Sequence, residues 1–123
     1  FGRSFIITMA PVQYSIENDV PGMGGFIYKD LYNNCGHLID YFNVQCYNDY
    51  SLEAYNQMIK NGYPEEKIVM GSISSQNFNS NLKVLKEIVK KYNDFGGVFN
   101  WEYYDAPTNW SNIVYNTLKI IHI

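Results

Sequence analysis

The residues of this chain best suited to chemistry are phenols, amides and an indole at the ends of apolar runs. Gln45, Tyr47 and Asn48 close one run, and Trp101, Glu102 and Tyr103 close another. A phenol hydroxyl and two carboxamides offer neutral hydrogen bonding. The Trp101 indole offers a flat apolar face. Glu102 is the one acid beside Trp101, so a carboxylate pair is not visible there. Met9 stands near the end of a third run, although methionine more often fills gaps in a core. No Ser/His/Asp or Cys/His spacing is present, and His37 and His122 read as surface or cap residues. Cys35 and Cys46 make neither a disulfide framework nor a metal set, and Cys46 reads as a buried free thiol. The glycine-rich phosphate loops G-x-G-x-x-G and G-x-x-x-x-G-K-[ST] are missing. No metal or cofactor is expected. The sequon Asn109-Trp110-Ser111 matters only in a secreted protein.

Such residues need elements to hold them. Four apolar runs, over 5–10, 39–47, 67–73 and 97–103, are rich in β-branched and aromatic residues and bounded by Gly or Pro. They read as strands. Between them lie helical stripes. Ser51 precedes Leu52, Tyr55 and Ile59, with Gly62 beyond the end. Asn81 precedes Leu82, Leu85, Ile88 and Val89. Ser111 opens a stripe through Ile113, Val114, Thr117 and Leu118. The Gly-rich stretch 11–40 is expected to be a long loop with one short helix. Lys83, Lys86, Glu87, Lys90 and Lys91 form a solvated helix face. Alternating strands and helices imply a parallel sheet with crossovers. The sheet belongs to a small doubly wound domain or to half of a (β/α)8 barrel, and polar residues at strand C-termini favour the barrel.

Strand alternation sorts the second run. Tyr41, Asn43, Gln45 and Tyr47 share one face, expected to line a barrel interior. Phe42, Val44 and Cys46 share the other, expected to face the helices. Asp40 precedes this run and belongs at the far, stability face.

Composition sets outer limits. The 123 residues are 46% hydrophobic and 17% aromatic, which excludes disordered and low-complexity classes. The net charge is −3 and the pI about 5.2, with no basic patch, so nucleic acid and anionic membrane are poor partners. The longest apolar runs, such as Phe5-Ile6-Ile7, are too short to span a membrane. The N-terminal residues do not have the pattern of a cleavable secretory segment. The chain starts at Phe1 and enters a strand-like run at Phe5, which is expected of a piece of a longer chain.

Three motifs carry a family resemblance. Thr8-Met9-Ala10-Pro11, Tyr41-Phe42-Asn43-Val44-Gln45-Cys46-Tyr47-Asn48 and Gly96-Gly97-Val98-Phe99-Asn100-Trp101 are similar to the ends of strands five, six and eight of glycoside hydrolase family 18. Lys67-Ile68-Val69-Met70-Gly71 falls where the seventh strand should. The resemblance covers nearly the whole chain and is nearest the compact plant and fungal chitinase type, beside the endo-β-N-acetylglucosaminidases. It implies an α/β fold, a (β/α)8 TIM barrel of which residues 1–123 supply the second half, strands 5–8 and their helices, with no separate second domain.

The resemblance also implies a reaction and a site. The substrate is a β-1,4-linked N-acetylglucosamine polymer such as chitin, cleaved with retention by a substrate-assisted route. The acetamido oxygen attacks its own anomeric carbon while a protein acid protonates the leaving oxygen. Tyr47 takes the catalytic role, binding the acetamido oxygen or stabilising the oxazolinium intermediate. Gln45, Asn48, Trp101 and Met9 bind substrate, with Trp101 as the sugar floor and a cis peptide bond after it. The family acid ends a D-x-x-D-x-D-x-E motif on strand four, and this chain has no such motif. The implied partners are therefore an N-acetylglucosamine oligosaccharide and the missing N-terminal half of the barrel, in the same parent chain or a second one. The segment alone is expected to be inactive. Two alternatives remain open: a non-catalytic lectin-like barrel, and a bare half-barrel that associates through open edges. The resemblance is compatible with secretion, but the two thiols do not report the compartment.

Overall fold

The computed structural model describes residues 5–119. Its centre is a parallel four-stranded sheet in the order β1 (Thr8–Met9), β2 (Tyr41–Gln45), β3 (Ile68–Ile73), β4 (Gly97–Trp101). Helix α3 (Leu52–Lys60) links β2 to β3, and α4 (Phe78–Lys91) links β3 to β4. The chain ends its described part in α5 (Trp110–Lys119). Spatial order follows chain order, as successive crossovers produce.

Burial follows the alternation of β2. Phe42, Val44 and Cys46 are buried, while Asn43, Gln45 and Tyr47 are half-buried. The register opposes Phe42 to Ile68 and Val44 to Met70, so these apolar residues form one sheet face. Ile16, Tyr55, Met58, Tyr63 and Ile88 from the helix side complete that core. Phe42 meets Tyr63 edge to face, their centroids 5.5 Å apart.

Local signals explain the helix ends. The Ser51 side chain accepts a hydrogen bond from the Ala54 N–H at 3.0 Å, which caps α3. Gly62 follows at φ +104°, a conformation that glycine adopts without a Cβ clash. Lys67 Nζ donates to the carbonyls of Gly36 and Ile39 at 2.8 and 2.7 Å, satisfying acceptors where a helical turn ends before β2. The lysine-rich face of α4 is exposed, as expected. His37 is exposed in the turn Gly36–Leu38, and His122 lies outside the described residues.

Several boundaries differ from expectation. The first strand shrinks from 5–10 to Thr8–Met9. Asp40 N–H donates to the Ile7 carbonyl at 2.8 Å, but the Ile7 N–H goes to the Asp40 carboxylate at 2.7 Å. A side chain thus replaces the ladder just before β1, and Phe5, Ile6 and Ile7 are 50–70% exposed. This bond also places Asp40 at the N-terminal end of β2, opposite the strand ends where the polar residues gather. Between residues 11 and 40 there are two helices, α1 (Gln13–Glu17) and α2 (Tyr28–Cys35), instead of one. Helix α1 has no apolar stripe to announce it. It is held by Gln13, whose side chain donates to the Asp49 carbonyl at 2.6 Å and accepts from the Asp49 N–H at 3.1 Å. Helix α4 begins at Phe78 and not beyond Asn81. Asn77 is its N-cap at φ 53°, and the Asn81 N–H already bonds the Asn77 carbonyl at 2.9 Å. Strand β4 stops at Trp101, and β2 ends at Gln45, two residues before Tyr47.

One buried group is unmatched. The Tyr63 hydroxyl has no hydrogen-bond partner although the residue is 1% exposed. Leaving such a group unpaired is costly, whereas removing it can be neutral or favourable. Tyr63→Phe is therefore expected to leave the urea midpoint unchanged or raise it, by up to about 1 kcal/mol of stability. A loss of that size would show that the hydroxyl has a partner after all.

Candidate functional site

The C-terminal ends of β2 and β4 flank an open cavity of about 430 Å³ lined by Ala10, Asn43, Gln45, Tyr47, Phe99 and Trp101. Period-two alternation puts Asn43, Gln45 and Tyr47 on it from one side, and Phe99 and Trp101 from the other. Between them runs β3. The register aligns Gln45, Gly71 and Phe99 in one row, and Ile73 with Trp101 at the rim. Gly71 explains how the cavity closes. A Cβ there would lie 1.9 Å from Phe99 Cζ and 2.3–2.4 Å from the two Cε atoms. The Phe99 ring therefore occupies the space of a β3 side chain and gives the cavity an apolar wall.

The polar groups have defined states. Gln45 Nε2 donates to the Ala10 carbonyl at 2.7 Å, which fixes the carboxamide and leaves Oε1 as the acceptor. Burial pushes the Tyr47 hydroxyl above the usual tyrosine range, with a smaller contribution from Cys46. Tyr47 therefore keeps its proton at neutral pH and can donate it in a hydrogen bond. Cys46 sits behind the strand, buried, its thiol pushed far up by desolvation, and is inert as a nucleophile.

Trp101 lines the cavity and is 61% exposed within the described residues. The peptide bond from Trp101 to Glu102 is cis. Ser74 holds both of these residues: its N–H donates to the Trp101 carbonyl at 2.9 Å and its hydroxyl to the Glu102 carbonyl at 2.6 Å. Glu102 does not line the cavity, and among the described residues no carboxylate does. Among the described residues no group of acidic, His or Cys side chains is arranged to hold a metal. No helix among them is long and apolar enough to cross a membrane.

The structure brings Gln45, Tyr47 and Trp101 together on this cavity, whose lining includes neither Asn48 nor Met9, although Asn48 shares a neighbouring pocket with Tyr47. Asn48 is exposed and faces a smaller polar pocket of about 160 Å³ with Tyr50, Gln76 and Asn77. Met9 is a correction. Its Cα partner is Phe42, which puts it on the helix side of the sheet, where it packs against the core. A strand residue on that face does not reach the cavity. Ala10, Asn43 and Phe99 are the lining residues that sequence reasoning did not select. Asn43 and Phe99 were available from alternation, since they lie two residues from Gln45 and Trp101.

No family model matches the chain, and no curated protein does. Solved structures do. The chain is 29% identical, with a TM-score of 0.87, to a fungal endo-β-N-acetylglucosaminidase from glycosyl hydrolase family 18. The match covers 97% of this chain and 48% of that one. The chain resembles glycoside hydrolase family 18. Chitinase ChiC from Aspergillus fumigatus is a second such structure, at 25% identity and a TM-score of 0.76, covering 96% of this chain and 49% of the other. The chain thus spans about half the length of these two structures. Its parallel sheet and connecting helices are an α/β arrangement that matches about half of each of these structures.

Proposed function

We propose that this chain is the second half of a family 18 barrel that hydrolyses β-1,4-linked N-acetylglucosamine polymers such as chitin, with retention. The observation that carries the reading is the joint placement of Tyr47, Gln45 and Trp101 on one cavity with a Phe99 wall. An acetamido group needs a donor for its carbonyl, an acceptor for its N–H and an apolar surface for its methyl. Tyr47 supplies the donor, Gln45 Oε1 the acceptor, and Phe99 with Trp101 the apolar surface. Held this way, the acetamido oxygen attacks the anomeric carbon as the glycosidic C–O bond breaks. The leaving oxygen takes a proton from an acid, and water then opens the oxazolinium ion from the face the leaving group vacated.

Among the described residues no carboxylate lines the cavity, and on this reading the acid comes from the half of the barrel that would pair with β1 and β4. The segment alone binds sugar poorly and does not cleave it. The second reading, a non-catalytic lectin-like barrel, uses the same cavity without an acid from the other half. Asn48 serves substrate at most outside the acetamido pocket.

Incubating the full-length protein with a chitin oligomer and following the products by proton NMR tests the proposal. Initial release of the β-anomer is expected. Release of the α-anomer first would exclude the substrate-assisted route. Saturable binding without products would leave the lectin reading.

A further inference from the structure

Trp101 closes the cavity at the edge of the described sheet. It ends β4, and among the described residues no strand lies beyond β4 and no aromatic ring packs on the indole. Within the described residues 61% of its surface is exposed. Its direction is set by the backbone on either side. The ladder to β3 ends at the Ile73–Trp101 pair, and the next residue of β3's path is Ser74.

Ser74 is 3% exposed and spends both its donors on this one place. Its N–H extends the ladder by one bond to the Trp101 carbonyl, and its hydroxyl adds another to the Glu102 carbonyl. Both carbonyls flanking the Cα of Glu102 are thereby anchored to β3. A stacking platform works only when it is held in place before the ligand arrives.

We propose that Ser74 is a positioning residue that sets the Trp101 platform through these two bonds. The proposal rests on the reading of Trp101 as a sugar platform. Ser74 itself does not line the cavity and touches no ligand. Its hydroxyl is the replaceable half of the clamp, because the N–H survives any substitution except proline.

The experiment titrates the full-length protein with triacetylchitotriose and compares Ser74→Ala, Trp101→Ala and Ile88→Val. Ile88 is a core residue of α4, far from the cavity lining, and its trimming destabilises the fold mildly. Ser74→Ala is expected to weaken binding about fivefold, the effect of one net hydrogen bond. Trp101→Ala should weaken it more, and Ile88→Val not at all. Ser74→Cys keeps the size with a weaker donor and gives the same reading if the alanine variant does not fold. Unchanged affinity in the Ser74 variants, with Trp101→Ala impaired, overturns the proposal and leaves the sugar reading standing. Equal weakening in Ser74→Ala and Ile88→Val shows a merely structural serine and also overturns it. Unchanged affinity in Trp101→Ala overturns the sugar reading and this proposal with it.

Discussion

Tyr47→Phe in the full-length protein is expected to lower turnover of a chitin oligomer about 100-fold while leaving the melting temperature almost unchanged. The size follows from losing the hydrogen bond that holds the acetamido oxygen in line with the anomeric carbon, since a small misplacement of a reacting group costs about 100-fold. The small stability effect follows from the structure. The ring stays, the residue is half-buried, and the hydroxyl makes no hydrogen bond among the described residues. The pH dependence has a definite sign. Burial raises the tyrosine above its ordinary value near 10, so the neutral donor is the form present throughout neutral and mildly alkaline solution. Oligosaccharide affinity should therefore show no Tyr47-dependent fall below about pH 10. Turnover of the Phe variant within tenfold of the parent would remove Tyr47 from the chemistry.

The second large effect is expected at Gly71. Alanine there puts a methyl carbon where the Phe99 ring now lies. The nearest atoms are at the tip of that ring, so the ring can swing away, and the free space on that side is the cavity. Gly71→Ala should therefore cost about 1–3 kcal/mol of stability, as overpacked positions do. It should also weaken triacetylchitotriose binding at least tenfold by filling the space proposed for the acetamido group. A double variant isolates the cause. Adding Phe99→Ala removes the clash, so the two substitutions together should destabilise by less than the sum of each alone. Additive losses would show that the two positions do not collide.

Much of this arrangement was legible in the chain itself. Alternation along residues 41–47 assigned Asn43, Gln45 and Tyr47 to one face and Phe42, Val44 and Cys46 to the other, because period two is a direct consequence of strand geometry. The Ser51 cap and the glycine at 62 marked α3 for the same local reason. What escaped was tertiary. Helix α1 is held by Gln13 reaching residue 49, a contact 36 positions away that no stripe announces. The first strand was overestimated because the apolar run at Phe5 outlasts its backbone partner, where the Asp40 carboxylate takes over. Met9 was placed by its motif and not by register, and register puts it opposite Phe42. The role of Gly71 needs three strands in hand, since only their alignment brings Phe99 across it. Ser74 is a serine among several in 72–75, and nothing short of the structure distinguishes it.

The central claim is that the cavity between β2 and β4 holds an N-acetyl group. The most direct test compares binding of triacetylchitotriose and cellotriose to the full-length protein by calorimetry. The two trisaccharides share a β-1,4 backbone and differ in the acetamido groups, with no charge on either. The chitin trimer is expected to bind at least tenfold tighter, with that preference lost in Tyr47→Phe and Gly71→Ala. Equal affinity for both sugars, or a preference that survives both substitutions, would contradict the account.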